Sequence, residues 1–193
     1  MDIFEYAVAN NGVITTTAAD AAGIPRARLS EAAAAGTLLR VARGIYYLPD
    51  VWEDEYAIAN LRFPKGVLSH GTALFLHDLT DRTPERVTMT FPRSYNASSA
   101  RKEGIVVRTC DDKLLDLGII KITTPSGNVV RSYDRERTLC DLLRGRAAID
   151  AQIANPAMKA YVASPQKDVA KIMNYAHRLG VASKVRNYLE VLL

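Results

Sequence analysis

Residues 17–36 read TAADAAGIPRARLSEAAAAG, and this stretch decides the fold of the first part of the chain. Gly23 ends a first alanine-rich segment, and Gly36 ends a second one. Pro25 suits the first turn of the second segment, because a helix start does not use the missing N–H. We expect Thr17 to cap the first of the two helices. A short helix, a tight turn and a second helix predict a helix-turn-helix.

The flanking residues complete the pattern of a winged helix. Upstream, residues 2–9 pair Ile3 with Ala7 and Phe4 with Val8 at helical spacing, which predicts a short amphipathic helix. Downstream, Leu38–Val41 and Ile45–Leu48 flank a tight turn and predict a hairpin, the wing. We therefore predict a winged helix-turn-helix DNA-binding domain over residues 1–49, ending at Pro49–Asp50.

The second predicted helix has the features of a recognition helix. Leu29 and Ala33 lie one turn apart and face the core, while small residues such as Ala27 point outward and would let the helix enter the major groove. Arginines flank this face and stand on the hairpin, where they are placed to contact phosphates or guanine edges. The predicted DNA-binding residues are Arg26, Arg28, Ser30, Arg40 and Arg43.

Residues 50–193 predict a second domain of the α+β class, with about four strands and flanking helices. A helix is expected over residues 52–62 with Trp52 on its apolar face, and another from His70 to His77 capped by Ser69. Asp134 should cap a further helix. The strands are expected at residues 86–91, 105–110, 117–123 and 129–132, and the last helices at residues 164–179 and 181–193.

Composition narrows the class of protein. The chain has 193 residues, 48% of them apolar, a net charge of +4 and two cysteines. The apolar content favours a folded protein. Two cysteines are too few for a disulfide framework. The acidic N-terminus is unlike a signal peptide, and the apolar runs are short for a membrane span. We expect a cytoplasmic protein.

Two clusters are candidates for chemistry. His70, His77 and Asp78 could share a helix face as metal ligands, but structural histidines are the more common case. Asp111 and Asp112 resemble the metal-binding acids of nucleases, but the neighbouring Ile119–Lys121 offers no further acid. We therefore expect no catalytic site, no metal and no cofactor, and predict that the protein is not an enzyme.

Three stretches in order resemble the AbiEi antitoxins of type IV toxin–antitoxin systems, which act in abortive infection. They are LLRVARGIYYL at 38–48, LSHGTALFLHDLTDRTPERVTMTFP at 68–92 and YDRERTLCDLL at 133–143. The resemblance covers about residues 2–145 and implies a winged-helix transcriptional autorepressor that binds inverted repeats in its own promoter. It also implies an antitoxin domain that counteracts a nucleotidyltransferase-like toxin without a stable complex.

Binding of inverted repeats would suit a homodimer on DNA. Two other functions stay open at this point. One is a metal-dependent DNA nuclease of a defence system, with Asp111 and Asp112 as ligands. The other is a transcription factor whose α+β domain senses a small molecule.

Overall fold

The computed structural model describes residues 2–144 and 151–192, and its contacts divide them into two compact units. The first unit comprises residues up to Pro64 together with Thr123–Val130, and the second comprises Lys65–Ile122 and Arg131 onwards. Within the described residues the strands form one sheet of three and one sheet of five strands. The fold is α+β, as predicted.

The N-terminal unit is a winged helix-turn-helix followed by one more helix. The three strands pair antiparallel in the order β1-β3-β2. The core lies between the helices and this sheet and contains Ile14, Leu29 and Tyr46. The elements are α1 (Ile3–Ala9), β1 (Val13–Thr15), α2 (Thr16–Ala21), α3 (Arg26–Ala34), β2 (Leu39–Ala42), β3 (Ile45–Tyr47) and α4 (Glu55–Arg62).

The C-terminal unit is built on the five-stranded mixed sheet, in the order β6-β5-β4-β8-β7. β4 runs antiparallel to β5 and parallel to β8, and β5 runs parallel to β6. The elements are β4 (Val67–Leu68), α5 (His70–Leu76), β5 (Thr88–Pro92), α6 (Ser98–Lys102), β6 (Val106–Cys110), β7 (Ile119–Thr123), β8 (Val129–Tyr133), α7 (Arg135–Leu142), α8 (Ala151–Ala163), α9 (Val169–Leu179) and α10 (Ala182–Leu192).

The helices α7–α10 enclose a large apolar core against α5. Its fully buried members include Leu139, Met158 and Ile172. Helix α9 is strongly amphipathic. Asp168 caps its N-terminus, and Gly180 ends it in a left-handed conformation with φ 73°. Across the described residues, none of the helices combines the length and the apolar character that crossing a membrane requires.

Several predicted helix boundaries in the first unit were wrong. Thr15, not Thr17, caps α2, because its hydroxyl accepts the N–H of Ala18 at 3.1 Å. Trp52 lies outside any helix and is 90% exposed; α4 begins only at Glu55, where the Asp54 carboxylate accepts two backbone N–H groups. In α1, Phe4 and Val8 are exposed, so only one of the two predicted pairs faces the core.

The structure of the second unit differs from the sequence-based expectations at three places. Val67–Leu68 forms a fifth strand that is too short to show a pattern in the sequence. The helix expected from Ser164 begins at Val169, because Asp168 rather than Ser164 caps it. Ser69 does occupy the N-cap position of α5, but its hydroxyl bonds to Thr90 instead of the helix.

The first compact unit continues past Pro49–Asp50 to Pro64, and the domain boundary at Pro49–Asp50 stays a prediction. Val51 and Ile58 pack against Val13, Ile45 and Tyr47 of the winged helix, so α4 is part of its unit. That residues 51–193 fold alone stays a prediction.

Candidate nucleic-acid interface

The face of α3 that is directed away from the core carries small and polar side chains. Leu29 is fully buried, whereas Ala27, Ser30 and Ala34 are exposed. Small side chains leave the helix backbone able to approach a groove closely, as a recognition helix must. The face is therefore sterically suited to the major groove.

The turn between α2 and α3 sets the position of that face. Gly23 has φ 74°, a left-handed conformation that glycine adopts without strain. The next residue, Ile24, donates its N–H to the carbonyl of Ala19 at 2.8 Å and buries its side chain. The turn thus holds α3 against α2 through a backbone hydrogen bond and an apolar contact.

Arg26 and Arg28 are exposed on α3, and both are near carboxylates. Arg26 donates from Nε and Nη2 to Asp20 Oδ2, at 2.8 and 2.6 Å. This hydrogen bond and the charge of Asp20 raise the pKa of Arg26. Arg28 Nη2 lies 3.9 Å from Asp2 Oδ1, a much looser pair. The side chain of Arg28 is therefore freer to bind DNA than that of Arg26. The sequence did not predict the Arg26–Asp20 pair, because its two residues lie on either side of the turn between α2 and α3.

The wing presents the other two predicted arginines. Arg40 on β2 and Arg43 in the turn before β3 are exposed, and within the described part of the chain neither forms an ion pair. Gly44 has φ 76° and accepts the N–H of Thr16 through its carbonyl at 2.9 Å. A Cβ at Gly44 would lie 2.9 Å from the Thr16 hydroxyl. The wing turn is thus fixed to the start of α2.

The two histidines of the predicted cluster make hydrogen bonds within the protein. His77 Nε2 lies 2.8 Å from the carbonyl of Tyr133, and burial lowers the pKa of the ring. His70 Nδ1 lies 3.1 Å from the Ser69 hydroxyl. In the residues that the structure describes, no three His, Cys, Asp or Glu side chains are grouped to hold a metal ion.

The two acids of the nuclease hypothesis serve the loop that carries them. Asp111 accepts the N–H of Lys113 at 3.0 Å and caps the 3₁₀ turn Asp112–Leu114. Asp112 accepts both the hydroxyl and the N–H of Ser94, which lowers the pKa of its carboxyl. This arrangement gives the nuclease alternative no support.

Comparisons with known proteins concern the fold of the chain and its first 49 residues. Over 91% of its length the chain is similar in fold to the RV2827C protein from Mycobacterium tuberculosis, with a TM-score of 0.60 and 14% identity, covering 71% of that chain. No curated protein matches. Residues 1–49 match the AbiEi_4 family, described as a transcriptional regulator, AbiEi antitoxin. The first 49 residues are thus similar to the AbiEi antitoxin transcriptional regulators, and this match includes the first of the three resembling stretches, LLRVARGIYYL at 38–48.

Proposed function

We propose that the protein is a transcriptional autorepressor that inserts α3 into the major groove of its own promoter and lays the wing on the phosphate backbone. The observation that carries this proposal is the placement of Arg28, Arg40 and Arg43, all exposed on α3 and the wing of a winged helix-turn-helix. Arginine donates several hydrogen bonds to phosphates and can bind the guanine edge bidentately.

The arginines divide into three roles under this proposal. Arg28, on the face of α3, contacts a base edge, while Arg40 and Arg43 contact phosphates from the wing. Arg26 is paired with Asp20 and must exchange that carboxylate for a phosphate when DNA binds. Ser30 lies exposed near the middle of α3 and supplies a hydroxyl to the groove.

Fluorescence anisotropy with two labelled duplexes, the chain's own promoter and a scrambled sequence, tests these roles. Arg28→Ala should lose about tenfold or more on the promoter and much less on the scrambled duplex, because only the promoter offers the right base. Arg43→Ala should weaken both duplexes about equally. Arg82→Ala, an exposed arginine of the other unit, is the matched control. Equal losses on both duplexes for Arg28→Ala would make Arg28 a phosphate contact.

Asp20→Asn tests the exchange at Arg26. Removing the carboxylate frees the guanidinium, so the affinity for both duplexes should rise, by roughly twofold to fivefold. The rise should vanish in the Asp20→Asn, Arg26→Ala double variant. If Asp20→Asn weakens binding instead, the pair is needed to hold the turn and Arg26 does not contact DNA.

The antitoxin part of the proposal rests on the family match and on the resemblance of residues 68–92 and 133–143 to AbiEi antitoxins. We propose that the C-terminal unit counteracts a nucleotidyltransferase-like toxin without a stable complex, and that the protein binds inverted promoter repeats as a homodimer. The test expresses the chain beside the product of the neighbouring gene in its operon, which we expect to be a nucleotidyltransferase, and assays a promoter reporter in parallel.

Arg43→Ala in the full chain should lose repression and keep protection. A fragment of residues 51–193 should likewise protect without repressing, provided that circular dichroism shows it folded. If Arg43→Ala loses both activities, protection runs through DNA binding and the division between the units is wrong.

A further inference from the structure

The C-terminal unit contains a polar pocket of about 430 Å³ at the edge of its sheet. β6 is the edge strand and pairs in parallel with β5, so that Thr90 stands opposite Arg108. The start of α5 and the end of α7 complete the walls through His70 and Arg144. The pocket is thus formed by four elements that are distant in the sequence.

Three exposed arginines from different elements line this pocket. Arg93 directly follows β5, Arg108 lies within β6, and Arg144 follows α7. Among residues 2–144 and 151–192, none of these three guanidinium groups forms an ion pair with a carboxylate. Three unpaired like charges around one cavity repel one another, and a bound anion would remove that repulsion.

His70 adds a neutral imidazole to the same wall. The Thr90 hydroxyl donates to Ser69 Oγ at 2.8 Å, and His70 Nδ1 lies 3.1 Å from the same oxygen. A neutral imidazole has one donor and one acceptor nitrogen. Burial, with the nearby Arg108, lowers the pKa of His70 to about 4, which agrees with a neutral ring. His70 also has φ 51°, a left-handed conformation that is uncommon for residues other than glycine and that occurs at binding sites.

Among the described residues one carboxylate lines the pocket, and it already has a cationic partner. Asp141 Oδ2 accepts from Arg137 Nε at 2.9 Å, and both side chains are almost completely buried. The negative charge of Asp141 is therefore balanced by Arg137, which does not itself line the pocket. Among the described residues that line the cavity, the three arginines form no ion pair, although Arg144 acts electrostatically on Asp141 and Arg93 acts on Asp112.

We propose that this pocket binds the phosphate group of a small ligand, either inorganic phosphate or a nucleoside monophosphate. Planar guanidinium groups match the oxygens of a phosphate and bind them through charge-assisted hydrogen bonds. The volume lies within the range of small-molecule sites and exceeds what one oxyanion fills. The site goes beyond the proposed function, because it lies in the unit that does not carry the winged helix.

Isothermal titration of the full chain with sodium phosphate, adenosine monophosphate and adenosine tests the proposal. Phosphate or the monophosphate should bind and adenosine should not. Arg93→Ala and Arg108→Ala should each weaken binding about tenfold or more, because each removes a charge-assisted contact. Arg82→Ala, outside the pocket, should leave the affinity unchanged. Equal affinity for both anions identifies phosphate itself as the ligand, and tighter binding of the monophosphate identifies a nucleotide.

Three results would overturn the proposal. One is the absence of binding at millimolar phosphate and monophosphate. Another is binding that Arg93→Ala and Arg108→Ala leave intact while thermal melts show both variants folded. The third is a loss of duplex DNA binding in these two variants without any small-anion binding in the parent chain, which would assign the arginines to the DNA backbone.

Discussion

The buried arginine of the C-terminal unit offers a test of its packing, in the part of the chain that the family match does not reach. Arg137 is fully buried and donates to Asp141 and to the carbonyls of Leu114 and Leu117, at 2.9, 2.7 and 2.8 Å. Its guanidinium also lies 4.2 Å from the centre of the Tyr133 ring. Arg137→Met removes the cation and leaves a buried carboxylate and two carbonyls without their donor.

The expected cost follows from that inventory. Breaking a buried ion pair by removing one partner costs about 3–5 kcal/mol of the free energy of unfolding. Asp141→Leu should cost a similar amount, since it leaves the guanidinium buried without its counterion. The double variant removes both charges, so its loss should be clearly smaller than the sum of the two single losses. The difference should amount to roughly 1–3 kcal/mol of coupling.

Urea unfolding followed by circular dichroism measures all four proteins of this cycle. Arg186→Met, which removes an exposed arginine on α10, is the control and should change the free energy of unfolding by less than about 0.5 kcal/mol. Single losses below about 1 kcal/mol, or losses that simply add, would show that Arg137 and Asp141 do not form a buried pair and would refute the packing of α7.

Three further predictions concern the core, the pocket and the loop acids. Leu29→Ala should destabilise the winged helix by about 2–5 kcal/mol and weaken DNA binding, while Leu39→Ala, at an exposed position, should do neither in melting and anisotropy experiments. The pKa of His70, about 4, lies below its ordinary value, so the free energy of unfolding should fall as the pH drops from 6.5 towards 4. In phosphate-free buffer, this fall should be on the order of 3 kcal/mol larger in the parent chain than in His70→Asn. Asp111→Ala and Asp112→Ala should leave DNA binding and toxin protection intact; Mg²⁺-dependent DNA cleavage that either variant abolishes would revive the nuclease.

The winged helix could be predicted from the sequence because its signals are local. The ends of two consecutive helices are marked in the sequence by Gly23, Pro25 and Gly36. Each of these residues acts through its own backbone conformation, so its effect does not depend on distant parts of the chain. The orientation of α1 was only half correct, since Phe4 and Val8 have helical spacing but face solvent. Periodicity identifies a helix, and the packing of the remaining chain decides which of two apolar faces is buried.

The charged contacts could not be predicted, because they depend on register and on turns. Asp20 meets Arg26 only after the chain reverses between α2 and α3. In the C-terminal unit, the pocket brings together Arg93, Arg108 and Arg144 through the pairing of β5 with β6 and the end of α7. The sequence offered one signal of this pocket, namely Arg108 within the β-branched run of β6. Taken by itself, an arginine in a strand indicates only that this strand position is exposed to solvent.

The salt dependence of promoter binding tests the central claim most directly. Each phosphate contact adds about −0.9 to the slope of log affinity against log salt concentration. Anisotropy titrations at several salt concentrations should give a steep negative slope for the parent chain, and a slope shallower by about 0.9 for Arg43→Ala. Arg82→Ala should keep the parent slope. Identical slopes for the parent and Arg43→Ala, with promoter binding retained, would contradict the claim that the wing lies on the DNA backbone.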